Sequence, residues 1–257
     1  MKKGQKLWTR EEIILAINLY WKLEFGKMHK GNPDIIKLAS LINRTPSAVG
    51  RKLGNFGSFD LSLHERGIGG LPHTSKLDKI IWNEFFENFE ELSFESEKLR
   101  AGFENKSIEE LNDIDLLELP KEGLVREQLI KTRVNQNFFR KAILASYKST
   151  CCITGINHPS LLVAGHIIPW SMNEKNRMNP RNGLCLNTLH DKAFELGFIG
   201  IDSDYRVVVS PRILETMNFE TFKTYFQRHE NQRITLPNRY LPEPGFLEDH
   251  MGRRFMR

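Results

Sequence analysis

Cysteine is scarce in this sequence: 257 residues carry only Cys151, Cys152 and Cys185. An odd number without two CxxC pairs builds neither a disulfide scaffold nor a four-Cys zinc ribbon, so stability has to come from burial. Long hydrophobic runs are missing as well. No apolar stretch approaches the roughly 18 to 20 residues of a membrane span, and the opening MKKGQKLWTREE has no apolar signal core. The expectation is a soluble, cytoplasmic protein with no membrane partner. There is no internal repeat and no low-complexity tract. With 27% charged and 40% apolar residues, the chain fits one large or two small globular domains, which excludes a disordered chain, a collagen and a coiled-coil rod.

The formal net charge of +5 is unevenly spread. Residues 1–72 carry +6, residues 73–120 carry −8 and residues 121–257 carry +7. Two basic bodies separated by an acidic stretch suggest two surfaces for a polyanion, with a middle that would be repelled by it. A solvated surface with no partner explains the charge alone equally well.

Thr9 and Glu12 have the capping-box spacing, with Trp8 placed to staple onto Ile13. Ile13, Ile14, Ile17, Tyr20 and Trp21 then recur at helical spacing to about Phe25. A second helix is expected from Pro33, capped by Asn32, burying Ile35, Leu38, Ala39 and Ile42. A third begins with Thr45 as cap and Pro46 as first residue, and Gly54-Asn55 is expected to stop it. Two short helices joined tightly after a longer one resemble a tri-helical helix-turn-helix. That resemblance would lay the third helix in a major groove, with Ser47, Arg51 and Lys52 facing DNA and Val49 and Leu53 turned inward. A small bundle used only for packing or protein contact is the alternative.

Ser75 and Asp78 start a further helix bearing Leu77, Ile80, Ile81, Phe85, Phe89 and Leu92. The acidic region from Glu84 to Glu118 reads as a helix followed by a loosely structured connector; a second reading has its carboxylates mimic phosphate and cover the basic surface. The expected division is therefore 1–72, a helical acidic connector over 73–123, and 124–257. Residues 124–148 form a basic helical stretch that includes Arg133, Arg140 and Lys141. Beyond it, Leu161 to Ile168 and Gly183 to Leu186 have strand character, and Thr188 to Leu196 is helical. A hairpin is expected to turn at Asp202-Ser203-Asp204. The fold class is α+β, with the strands confined to the C-terminal half.

Three short stretches carry the chemistry: Ala164-Gly165-His166-Ile167-Ile168-Pro169-Trp170, then Arg181-Asn182-Gly183-Leu184-Cys185-Leu186, then Leu189-His190-Asp191-Lys192-Ala193-Phe194. His166, Asn182 and His190 are separated by 16 and 8 residues, in the order strand end, loop, strand, helix. Histidine has the unperturbed pKa, about 6.5, that suits a general base near neutral pH. This stretch, about residues 150–202, resembles the HNH endonucleases, whose ββα-metal unit grips one divalent cation. The resemblance implies that His166 is the general base, that Asn182 hydrogen-bonds its ring, and that His190 binds the metal, Mg²⁺ or Mn²⁺. It implies a metal-dependent endonuclease of restriction or phage-defence type acting on double-stranded DNA, contacted by Arg181 and the basic helices. One ββα unit engages one strand, so a double-strand break implies a homodimer.

One departure stands out. Many HNH enzymes place an Asp or His second metal ligand just before the base, where this chain has Gly165. Asp191 points to a different side of its helix than His190, and Glu195 lies roughly 140° around the axis, so neither is assigned. A relic HNH unit in a DNA-binding regulator, and a nuclease directed at RNA, remain alternatives. Cys151, Cys152, Cys185 and His158 could in principle make a structural zinc site, but the spacing is wrong for two knuckles, and buried small hydrophobes are expected instead.

Overall fold

The computed structural model describes residues 6–118, 120–215 and 217–257. The chain divides into two compact units, residues 1–141 and 142–257. The architecture is α+β, with helices alone in the first unit and two small antiparallel sheets in the second.

In the first unit, α1 (Arg10–Lys22) opens on the expected capping box, with Thr9 accepting from the Glu12 amide and Glu12 accepting from the Thr9 amide. It is buried nearly all round, through Ile13, Ile14, Leu15, Ala16, Ile17, Tyr20 and Trp21, so it forms the axis of the bundle. Around it run α2 (Pro33–Leu41) and α3 (Pro46–Phe56), capped by Asn32 and Thr45. Asn43 takes a left-handed conformation in the turn between them. All four residues expected to face inward from α2 are buried.

The third helix does not stop at Gly54-Asn55. It continues to Phe56, whose fully buried ring meets Tyr20 and Trp82 edge-on or tilted at 6.0 and 5.8 Å. Aromatic burial there outweighs the local preference of glycine to end a helix. Tyr20 also donates to Asp60 Oδ2 at 2.6 Å, and Asp60 caps the short α4 (Leu61–His64).

The acidic segment is not a loose connector. It folds into α5 (Lys76–Phe85), α6 (Phe89–Glu104) and α7 (Ile108–Leu111), all within the first unit. Chain direction changes at Glu87, which has positive φ, so Phe89 and Leu92 belong to α6 rather than to the helix that begins at Lys76. Leu77 and Ile80 are exposed, while Ile81, Trp82 and Phe85 face inward. The carboxylates pair with basic side chains of the same unit. Glu84 accepts from Arg10 at 2.6 Å, Glu97 from Lys22 at 3.2 Å, Glu109 from Arg126 at 2.6 Å and Glu91 from Lys131 at 2.7 Å. Burial drops the Lys22 ammonium to about 8, partly offset by Glu97.

Lys52 corrects the expectation for α3. Its ammonium is buried between both oxygens of Asp78, at 2.7 and 2.9 Å, and lies 4.8 Å from the centre of the Trp8 ring. It is a structural ion pair, enclosed rather than on the exposed face of α3. Trp8 has the Arg44 guanidinium over it at 4.1 Å, and Arg44 in turn binds Glu12 at 2.6 Å. One Asp78 oxygen also receives the Ser75 amide, so this single carboxylate both caps α5 and neutralises α3.

The long α8 (Leu124–Ser146) contains the division between the units. In the second unit, β1 (Leu162–His166) pairs antiparallel with β2 (Gly183–Asn187), in a register that sets His166 opposite Gly183. Next comes α9 (Thr188–Glu195), packed on both strands. Then β3 (Ile199–Ile201) and β4 (Val207–Val209) form the expected hairpin, turned by Asp202 accepting from the amides of Asp204 and Arg206. Finally come α10 (Phe219–Tyr225) and α11 (Pro244–Arg253). The three cysteines are free thiols, fully enclosed beside β2 and its flanks.

The C-terminal region supports α9. His250 of α11 stacks on Phe194 at 3.7 Å with an interplanar angle of 6°, and its Nε2 donates to the Phe194 carbonyl at 2.9 Å. Removing the Asp78 carboxylate should leave a buried ammonium alone, so Asp78→Ala is expected to lower stability by about 3 kcal/mol, measured by urea unfolding.

Candidate active site

The site is organised by where β1 stops. Leu162 to His166 pair with β2, and the Ile167 amide extends the ladder by donating to the Asn182 carbonyl at 3.0 Å. At Ile168 the backbone partner is replaced by a side chain. Asn182 Oδ1 accepts from the Ile168 amide at 2.8 Å, while its Nδ2 donates to the carbonyls of Ile168 at 3.0 Å and Asn176 at 3.3 Å. Asn182 is fully buried, so these bonds form away from competing water. The expected strand of residues 161–168 is therefore shorter than its apolar run.

His166 is the last residue of β1. Its Nε2 donates to the Arg177 carbonyl at 2.9 Å, and its ring meets Trp170 edge-on at 5.5 Å. A carbonyl only accepts, so in the neutral ring the proton resides on Nε2 and the lone pair on Nδ1. Burial lowers the His166 pKa below 6.5, and the bond to the Arg177 carbonyl partly opposes that shift. The ring is thus neutral and basic at Nδ1 at neutral pH.

Asn182 acts on this ring indirectly. Its amide fixes Ile168, two residues after His166, and the carbonyl of Asn176, the residue before Arg177. The expected bond from Asn182 to the imidazole is replaced by a clamp on the backbone that holds both the histidine and its acceptor. A second asparagine series shapes the loop, with Asn173 capping Asn176 and Asn179 capping Arg181. Trp170 closes the first of the three motif stretches, and the Arg177 guanidinium lies 5.1 Å from its ring centre. Arg177 falls between the motif stretches, and its backbone role has no signal in the sequence.

His190 is placed differently from the expectation. Its Nε2 donates to the Tyr225 carbonyl at 2.9 Å, and its Nδ1 lies 3.0 Å from Asn187 Nδ2. Asn187 Oδ1 receives the His190 amide and caps α9. With both nitrogens engaged and 3% exposure, the ring ties the start of α9 to the end of α10. In this arrangement both ring nitrogens face protein partners. His229 meets it edge-on at 5.4 Å, and burial lowers the pKa of both rings.

Asp191, its neighbour, lies against the strand. A methyl group built on Gly165 would overlap Asp191 Oδ1, so the carboxylate fills the side-chain space that glycine leaves open. Burial raises this carboxyl to about 6, with the nearby Glu195 adding to the shift. Glu195 itself is exposed and paired with Lys192 at 2.8 Å. Among the described residues no three His, Cys, Asp or Glu side chains converge into a metal cage. Among the described residues no hydrogen-bond donor reaches the Asp191 carboxylate, which supplies a hard oxygen. That chemistry fits Mg²⁺, which takes one or two carboxylates and leaves its other positions to phosphate and water.

The candidate nucleic-acid contacts fall in both units. Ser47 and Arg51 are exposed on α3, with Arg51 Nε donating to the Ser47 carbonyl at 3.3 Å. Arg133 and Lys141 are exposed and Arg140 is half-buried on α8. Arg181 is half-exposed and held by Glu243 at 3.0 Å. His158 is exposed in the loop before β1, away from the enclosed thiols in its degree of burial. No helix is long and apolar enough to cross a membrane among the described residues.

No curated protein matches the chain. Residues 151–202, which build β1, the Asn182 clamp, β2 and α9, match the model of a protein family described as HNH endonuclease, HNH_2, so this part of the chain is similar to an HNH endonuclease domain.

Proposed function

We propose that the chain is a metal-dependent endonuclease that hydrolyses phosphodiester bonds in double-stranded DNA, in restriction or phage defence. The observation that carries this reading is the His166 imidazole at the end of β1, its Nε2–H held by the Arg177 carbonyl, which fixes the tautomer with the lone pair on Nδ1. Nδ1 takes a proton from water as the water oxygen attacks phosphorus. The bond from phosphorus to the leaving 3′ oxygen breaks, and that oxygen takes its proton from solvent. Imidazolium formed on the way keeps its Nε2 bond to Arg177, so the ring does not have to reorient. A divalent cation, Mg²⁺ or Mn²⁺, supplies positive charge against the charge developing on the phosphate and the leaving oxygen. Asn182 is a positioning residue, because it fixes the backbone on both sides of the ring and its acceptor.

In this reading α2 and α3 grip DNA, with Ser47 and Arg51 on the outward face and Lys52 removed from that role by Asp78. The basic side chains of α8 and Arg181 add phosphate contacts. One ββα unit meets one strand, so a double-strand break takes two copies of the chain acting as a homodimer.

Purified protein with Mg²⁺ or Mn²⁺ is expected to nick or cut duplex DNA. His166→Ala should reduce cleavage by about 10²- to 10⁴-fold while retaining DNA binding; unchanged cleavage would overturn the assignment of the base. Asn182→Ala should lower kcat by about 10- to 100-fold with little change in DNA affinity, the pattern of a lost outer contact. The rate should fall as pH drops through the depressed His166 pKa, because protonation consumes the Nδ1 lone pair; the midpoint should lie below 6.5 in a single-turnover pH profile. Arg51→Ala should weaken binding similarly across sequences and reduce the slope of log affinity against log salt by about 1.

A further inference from the structure

Gly165 and Asp191 form a pair whose function neither residue reveals alone. Gly165 is the fourth residue of β1, directly before His166 and paired with Leu184 of β2. A side chain there would point at α9, because successive strand positions face opposite ways. The space it would take is filled by Asp191 Oδ1, with Leu186 Cδ1 next nearest at 3.5 Å from an added methyl. The carboxylate that a residue at position 165 could carry thus arrives from the helix. It occupies the α9 side of the strand end, while the His166 imidazole leaves from the opposite side. Base and carboxylate bracket the end of β1.

The neighbours of Asp191 sharpen the assignment. His190, one residue earlier, spends both ring nitrogens on Asn187 and Tyr225. Glu195 turns to Lys192 at the surface. Asp191 is the acidic side chain of α9 that reaches β1, and it is half-buried, so an ion can approach it.

We infer that Asp191 supplies the protein oxygen that holds the divalent cation, that Gly165 is glycine because the carboxylate needs that space, and that His190 is a structural clamp. This rests on the nuclease reading above for the role of the cation, but not for its binding. The test measures Mn²⁺ binding to the full-length protein without DNA, by the loss of free-Mn²⁺ EPR signal, together with thermal unfolding and DNA cleavage. Wild type should bind one Mn²⁺ per chain at the site. Asp191→Asn should weaken that binding by tenfold or more with little change in Tm.

Gly165→Ala should do the same, because the only close obstacle to the new methyl is a side-chain end that can rotate away. Combining Gly165→Asp with Asp191→Ala restores a carboxylate from the strand side and should recover binding that Asp191→Ala alone lacks. His190→Gln should lower Tm yet leave Mn²⁺ affinity within about twofold in the folded protein. Wild type that binds no Mn²⁺, Asp191→Asn that binds like wild type, a double variant no better than Asp191→Ala, or a folded His190→Gln protein that loses Mn²⁺ would each overturn the inference. Failure of the nuclease reading looks different: Mn²⁺ binds as expected and no nucleic acid is cleaved.

Discussion

The Asn182 side chain is the constraint on which the second unit's site depends. A fully buried amide makes three bonds to backbone groups, two of them to one residue, and so mimics a strand neighbour where no strand exists. It ends the sheet just beyond the imidazole of His166. It also anchors the loop that carries the carbonyl acceptor of that imidazole. A buried amide left without partners costs about 1–3 kcal/mol per group, so breaking this clamp would release both the strand end and the loop. Shape and proton placement therefore have the same origin.

A comparable economy governs the first unit. Asp78 caps α5 and neutralises Lys52, Glu12 closes the capping box of α1 and pairs with Arg44, and Asp60 caps α4 while accepting from Tyr20. Each buried carboxylate joins two elements, which is how a strongly charged chain builds a helical core without isolated charges. The acidic block that looked repulsive in the linear sequence is largely an internal counterion. Its partners include Arg10, Lys22, Lys52, Arg100, Arg126 and Lys131, while Arg51 of the proposed DNA face donates to the Ser47 carbonyl.

Much of this was legible in the sequence, and the failures share a cause. Caps at Thr9, Asn32, Thr45 and Ser75 are local, and all were readable because the donor and acceptor lie within three residues. The two strands, the helix after them and the hairpin turn followed from periodicity. What escaped was set by distant partners. Lys52 on a helix face looks like a DNA contact until Asp78 arrives from 26 residues away. His190 looks like a ligand until the Tyr225 carbonyl arrives from 35 residues away. Asp191 looked misdirected because helix geometry was judged against His190, whereas the space left by Gly165 decides where its carboxylate fits. Asn182 was recognised as important but given the wrong bond, since its partners are backbone atoms that carry no sequence signature.

The stacking of His250 on Phe194 bears on the modularity of the domain. The matched stretch ends at residue 202, yet the carbonyls of Phe194 and Gly197 are satisfied by His250 and Met256, and His190 is closed by Tyr225. The matched stretch is therefore shorter than the packed unit to which it belongs. A graft of residues 151–202 onto another protein would leave α9 with an uncovered aromatic face and open polar atoms. The unit that can be moved intact is the motif together with its C-terminal tail.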